Sequence, residues 1–294
     1  MRSHIDRTAG RTPALTRRSA RARGPAGAAL IAATLALLVA TPAWAQRGGR
    51  FPRTDFMRSL GDPNEFYTPP DFHGNPPYDG RFTFARIKYR GYGRWSGREG
   101  PGWSHDYPDA DVHFMRILRE VTSMHPFIAS GPIIGGAIVA LDDPALFKYP
   151  VAYLSEPGGW FPTPAEAAAL GKYLRKGGFL IIDDFPAFNW PEMESAMARA
   201  LPDLHPVKMT GREPIFDSFY KADINRVTSE YGMNQGFYAW YEHNDPTQRL
   251  LAVACYNNDI GEAWQWSGSG FVAVDVSNEA FKLGINFLVY ALTH

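Results

Sequence analysis

Thr163-Pro-Ala-Glu166-Ala-Ala-Ala-Leu170-Gly-Lys-Tyr173-Leu-Arg-Lys-Gly177-Gly-Phe179-Leu-Ile-Ile-Asp183-Asp184 is the stretch that decides the fold. Thr163 followed three residues later by Glu166 is a capping box, and Pro164 suits the first helical turn. Leu170, Tyr173 and Leu174 then share one helical face. Gly177-Gly178 ends the helix, because glycine takes the left-handed backbone that a helix C-terminus needs. Phe179 to Asp183 follows as a short apolar run, the pattern of a strand covered on both faces. A capped helix running straight into such a strand is part of a β-α-β unit.

The same grammar extends toward the N-terminus. Val151-Ala-Tyr-Leu154 and Ala137-Ile-Val-Ala-Leu141 are further short apolar runs bounded by acids, Gly and Pro. Between about Asp109 and Met124, the residues Phe114, Ile117, Leu118 and Val121 fall on one helical stripe. Phe82-Thr-Phe-Ala-Arg-Ile-Lys-Tyr89 alternates with period two and reads as a strand. Toward the C-terminus, Asn189 and Glu192 read as a second box-like helix start before Met193, Ala196, Met197 and Ala200. Leu250–Cys255 and Phe271–Val276 read as strands, and a helix apolar almost all round runs from about Asn278 to Leu292. The alternation predicts an α/β domain over residues 78–294, with a doubly wound, mostly parallel sheet of the flavodoxin-like kind.

Ahead of that domain lie two other kinds of sequence. Residues 1–45 have the three parts of a secretory signal: a basic region ending at Arg23, an apolar run from Ala26 to Ala40, and Ala43-Trp-Ala45 as the cleavage site before Gln46. The apolar run is shorter than the roughly 20 residues that span a bilayer as a helix. Export to the periplasm or medium is therefore expected. Residues 46–77 are rich in Pro and Gly and read as an extended arm. Its aromatic residues, Phe51, Phe56, Phe66, Tyr67 and Phe72, suit an arm that lies against the domain.

Seven of the 30 basic residues and one of the 30 acidic residues lie in the first 45, so the remainder carries 23 basic and 29 acidic residues. An acidic chain with no basic run does not suit nucleic acid or anionic membrane surfaces as partners. The lone cysteine, Cys255, permits no internal disulfide and sits in an apolar run, as a buried structural thiol would.

Several segments taken together resemble the bacterial family called domain of unknown function 4159. They are Tyr78-Asp-Gly-Arg-Phe-Thr-Phe-Ala-Arg86, Asp106-Tyr-Pro-Asp-Ala-Asp111, Tyr173 through Asp184, Pro214-Ile-Phe-Asp-Ser-Phe-Tyr220, and Leu283 through Thr293. The resemblance implies a fold like the class I glutamine-amidotransferase and trehalose-utilisation-like superfamily, and implies no activity. Relatives often carry a small Gly/His turn after the strand ending at Leu154. Here the turn is Ser155-Glu-Pro-Gly-Gly-Trp160, and the Cys elbow of the amidotransferases is missing around Ser155.

In open α/β sheets, ligands sit beyond the carboxyl ends of the strands. Those ends carry Tyr89-Arg90, Asp142-Asp143, Ser155-Glu156, Asp183-Asp184 and Asn257-Asn258-Asp259. Converging carboxylates of this kind can hold Mg²⁺ or Ca²⁺, or can hydrogen-bond sugar hydroxyls. Asp and Asn also favour strand ends simply because they satisfy turn and cap amides. The Gly-rich loop after the first strand adds Arg90, Arg94, Trp95 and Trp103, which would stack on sugar rings or reach an anion; alternatively they pack the loop on itself. His105, Asp106, Asp109, Asp111 and His113 crowd one stretch without a standard zinc spacing, and Asp109 or Asp111 reads as the cap of the next helix. His125, His205 and His243 lie beside Pro or in polar turns, so no catalytic histidine is assigned.

Two functions fit these residues. One is a non-catalytic envelope module that binds a glycan or protein partner through the acidic edge and aromatic loop. The other is a hydrolase of envelope carbohydrate or a related small molecule, with Glu156, Asp183 and Asp184 as acid–base groups or holding a divalent ion. No cofactor motif is present.

Overall fold

β1 (Ala85–Lys88), β4 (Ala137–Ala140), β5 (Val151–Ser155), β6 (Phe179–Asp183) and β9 (Leu250–Tyr256) form the parallel part of a seven-stranded sheet. β8 (Gly236–Tyr241) and β7 (Val207–Lys208) extend it antiparallel beyond β9. The order across the sheet is β4-β1-β5-β6-β9-β8-β7. A separate two-stranded hairpin joins β2 (Ala129–Ser130) and β3 (Ile133–Ile134). The structure is a computed structural model that describes residues 68–69, 71–90, 102–227, 231–232 and 234–294. The expected signal, most of the arm, and the loop residues Arg94 and Trp95 lie outside the described residues.

Helices cover both faces. α2 (Pro164–Arg175) and α3 (Trp190–Ala200) pack on one face against Ala152, Leu154, Leu180, Ile182, Ala252 and Ala254. α1 (Asp109–Val121), α4 (Ile260–Gln265) and α5 (Val274–Thr293) pack on the other, against Val151, Tyr153, Phe179, Ile181, Val253 and Cys255. Alternate residues of each central strand thus enter opposite cores, which is why these strands are apolar without a polar face. Cys255 is fully buried. The capping box at α2 forms as expected: Glu166 N donates to Thr163 Oγ1 (3.2 Å) and Thr163 N to Glu166 Oε2 (2.8 Å).

Four expectations change. Phe271–Val276 is not a strand; Val274 already opens α5, and Phe271 and Val274 are more than two-thirds exposed. The run follows a turn with left-handed Gly268 and Gly270 and finds no sheet edge to join. Asn189 makes no side-chain cap, because a 3-10 turn, Ala187–Asn189, leads directly into α3 and supplies the carbonyls instead. α1 stops at Val121 rather than Met124, where Thr122 Oγ1 and N both donate to Leu118 O. The aromatic strand β8 is a new element between α3 and β9. Among the described residues of the arm, Asn75 pairs with both backbone groups of Ile138, which covers part of edge strand β4 (2.8 and 3.0 Å). Among the described residues no helix is long and apolar enough to cross a membrane.

β1 lies between β4 and β5. The chain therefore leaves β1 to one side and then crosses to the other, which makes the carboxyl end of the β1–β5 crevice a topological switch point.

Candidate functional site

The three central strands end alike. Immediately after β5, β6 and β9 come Glu156, Asp184 and Asn257, all with left-handed backbone (φ 48°, 59° and 53°). Non-glycine residues occupy this region at an energetic cost, and such strain gathers at sites where side-chain direction matters. Asp106, in the segment between β1 and α1, is a fourth case (φ 62°). The turns at Glu156, Asp184 and Asp106 bring their carboxylates around His105, whereas Asn257 Oδ1 accepts from Ala187 N (2.9 Å).

Asp184 is the hub. Its Oδ2 lies 2.9 Å from His105 Nδ1 and accepts from Ser155 Oγ (3.1 Å), while its Oδ1 accepts from Tyr231 Oη (2.6 Å). Asp183 points into a nest of donors. Its Oδ2 accepts from Tyr153 Oη (2.8 Å), Gly261 N (2.9 Å) and Ile260 N (3.1 Å). Gly261 is required by this approach: a Cβ there would stand 2.5 Å from Tyr153 Oη and 2.8 Å from Asp106 Oδ2. Asp259 caps α4 through Glu262 N (2.8 Å), and Asn258 Oδ1 accepts from Asp259 N (3.0 Å). His105 Nδ1 is also 3.4 Å from Asp106 Oδ1 and 3.8 Å from Glu156 Oε1.

The segment carrying His105 is clamped from below by Arg86 of β1. The guanidinium is fully buried, pairs with Asp111 (Nη2–Oδ1 2.5 Å) and donates through Nη1 to Trp103 O (3.2 Å) and His105 O (2.8 Å). It also stacks over Tyr153 at 5.1 Å. A buried arginine is retained where its charge is paired and each of its nitrogens is bonded, as here.

Too many carboxylates share this space for all to ionise freely. Burial, then the charge of Asp184, pushes Asp183 up to about 6, against the pull of Tyr153 and the α4 amides. Burial drives Asp106 and Asp259 well above the ordinary carboxylate range. For Asp184 burial acts the same way but is outweighed by His105 and Tyr231, so its carboxyl is held low. His105 resists burial through its bond to Asp184 and the charges of Asp106, Asp184 and Glu156, and is pushed up to about 10.

Of the residues expected at the edge, the structure brings Glu156, Asp183, Asp184, Asn258 and Asp259 to this centre. Trp103 is not a stacking platform: it is buried in the core beside β1 and β5. Arg90 is engaged with Glu166 of the α2 cap (3.4 Å), so it does not reach out for an anion. Asp142 and Asp143 stay exposed, and Asp143 caps its own turn through Ala145 N (2.8 Å). Neither Asp109 nor Asp111 caps α1: Pro108 holds the cap position, Asp109 is exposed, and Asp111 serves Arg86. His113 bonds the Trp264 carbonyl (3.0 Å) and lies outside the cluster. The sequence pointed to the stretch holding His105 and Asp106 and, separately, to Ser155, Glu156, Asp183 and Asp184, but not to their meeting, and it did not single out Arg86, Tyr153 or Tyr231. The one usable signal was the arginine at the second position of β1, between Ala85 and Ile87.

A family model, domain of unknown function (DUF4159), matches residues 83–292. The chain belongs to this family. The match spans β1 through α5, and so includes every residue of the DUF4159 centre described above. No curated protein matches the chain.

Proposed function

We propose that the protein is an exported hydrolase acting at this centre on envelope carbohydrate or a related small molecule, with Glu156 as the carboxylate that meets the substrate. The observation that carries the reading is the pair of left-handed turns ending β5 and β6, which spend backbone strain to bring Glu156 and Asp184 to the same imidazole, His105. Within the acid–histidine group, Asp106, Asp183, Asp184 and Asp259 are buried, whereas the side chains of His105 and Glu156 remain 27 % and 16 % exposed. Glu156 is then the base or nucleophile, and positive charge at His105 stabilises the negative charge that develops on the substrate. The burial of Trp103 removes one aromatic platform from the alternative, a purely glycan-binding module.

The fold proposed with it is flavodoxin-like and akin to the glutamine-amidotransferase superfamily. In support, the five parallel strands taken in chain order stand 2-1-3-4-5 across the sheet, the flavodoxin-like order. Glutaminase chemistry is not part of the proposal. The left-handed position after β5 holds Glu156, Ser155 is bonded to Asp184, and burial pushes the Cys255 thiol well up.

The test is turnover of chromogenic glycosides and esters by wild type and Glu156→Gln. The expected loss in kcat is about 100-fold or more, the ordinary scale for a general acid–base group. Equal rates in the two proteins, or ligand binding without turnover of any substrate, would return the protein to the binding class.

A further inference from the structure

The buried carboxylate of Asp106 has no counterpart in the hydrogen-bonding of the centre. Its side chain is fully buried, and among the described residues neither Oδ1 nor Oδ2 has a hydrogen-bond partner. A buried carboxylate in this position is costly unless something positive or hydrogen-donating meets it. His105 Nδ1 stands 3.4 Å from Oδ1, and that nitrogen is already shared with Asp184 Oδ2 at 2.9 Å.

We infer that His105 Nδ1, Asp106 and Asp184 are the protein ligands of a divalent transition ion of the zinc class. The three residues each offer a ligand atom, and these atoms lie within 4.8 Å of one another. Two donors each about 2.1 Å from one ion stand about 3.0 Å apart at a right angle and about 3.4 Å apart at the tetrahedral angle. The two separations from His105 Nδ1, 2.9 and 3.4 Å, lie close to those values. One imidazole with two carboxylates favours zinc over Mg²⁺ or Ca²⁺, which take oxygen ligands. Three protein ligands leave a coordination position for water or substrate, and Glu156 Oε1 stands nearby, 3.8 Å from His105 Nδ1. The outer partners are in place as well: Ser155 Oγ and Tyr231 Oη both donate to Asp184 and fix its orientation.

This deepens the proposed hydrolase and rests on it only for the use made of the ion. On binding, the ion takes the place of the Nδ1 proton, which is released to solvent. The positive charge beside Glu156 then belongs to the metal, which polarises substrate or lowers the pKa of its bound water.

The experiment uses the full chain stripped with chelator, titrated with Zn²⁺ and, separately, Mg²⁺, with bound metal counted after desalting. One Zn²⁺ per chain is expected, with no Mg²⁺ retained. Asp106→Asn keeps the shape of the side chain and should weaken Zn²⁺ binding about 100-fold or more, since losing even an outer-shell partner costs up to that much. Its metal-free melting temperature should equal or exceed that of wild type. Should that variant fail to fold, His105→Gln is expected to lose the ion in the same way. Less than 0.2 equivalents of Zn²⁺ on wild type, or undiminished binding in a folded variant, overturns the site; retention of Mg²⁺ in place of Zn²⁺ overturns the assigned class. Metal bound without turnover would count against the hydrolase alone, and turnover untouched by chelator would count against the ion alone.

Discussion

Strands β4 and β6 run from apolar residues into the same pair of acids. Ala137-Ile-Val-Ala-Leu141 leads to Asp142-Asp143, and Phe179-Leu-Ile-Ile182 leads to Asp183-Asp184. The first pair is exposed and does the ordinary work of a turn, with Asp143 capping Ala145 N. The second is fully buried and gathers Tyr153, Ile260, Gly261, His105, Ser155 and Tyr231 around its four oxygens. The difference is position in the sheet. β4 is an edge strand, with β1 as its only neighbour in the sheet. β6 lies between β5 and β9, so the turns that follow all three strands close over its end. An acid at the end of a central strand is surrounded; an acid at the end of an edge strand meets water.

The contrast is sharpest in stability. Asp183→Ala leaves the Tyr153 hydroxyl and the Ile260 and Gly261 amides without their acceptor, and should cost about 3–5 kcal/mol, because each stranded buried donor costs about 1–3 kcal/mol. Urea denaturation measures it. A cost under about 1 kcal/mol would mean that this pair is no more embedded than the one at β4.

The next effect is on pH dependence, measured without divalent ions. Asp183 has its folded pKa raised to about 6, so its contribution to stability is complete below the ordinary carboxylate pKa and disappears as pH rises through about 6. His105, raised to about 10, acts with the same sign: its contribution is complete below about 6.5 and fades as pH rises toward 10. Asp184, held low, is ionised in both states above about pH 5 and leaves the trend unchanged. The metal-free protein should therefore melt at a higher temperature at pH 5 than at pH 8. A melting temperature that rises over this interval would break the picture of a crowded, buried acid group.

The smallest effects belong to the edge pair. Asp143→Ala should lose a turn cap and about 1 kcal/mol, and Asp142→Ala should stay within about 0.5 kcal/mol, by the same denaturation measurement. Neither should alter turnover or bound metal. A change in either would draw the β4 end into the functional centre.

Most of the architecture was legible along the chain. The capping box at Thr163, the Gly177-Gly178 stop and the apolar runs of β5, β6 and β9 are local signals, and local backbone preferences act on them directly. The aromatic strand β8 was not legible, since an aromatic run fits strand and loop alike until an edge is found for it. Phe271–Val276 failed for the converse reason, strand-like residues without an edge. At the site, the acids at strand ends could be named in advance. The sequence favoured Asp183-Asp184 over Asp142-Asp143, whose Pro144 marks a turn, but it could not show which acids converge, because both pairs end apolar runs alike.

The sequence by itself determined a βα alternation, a capped α2, a buried thiol and an acidic carboxyl edge, because each depends on spacing and side-chain chemistry within a few residues. Only the tertiary structure decided that Asp106, 78 positions before Asp184, stands beside the same imidazole, and that Arg86 holds them there. Strand order brings those positions together, and strand order follows from which faces pack rather than from any one stretch of chain.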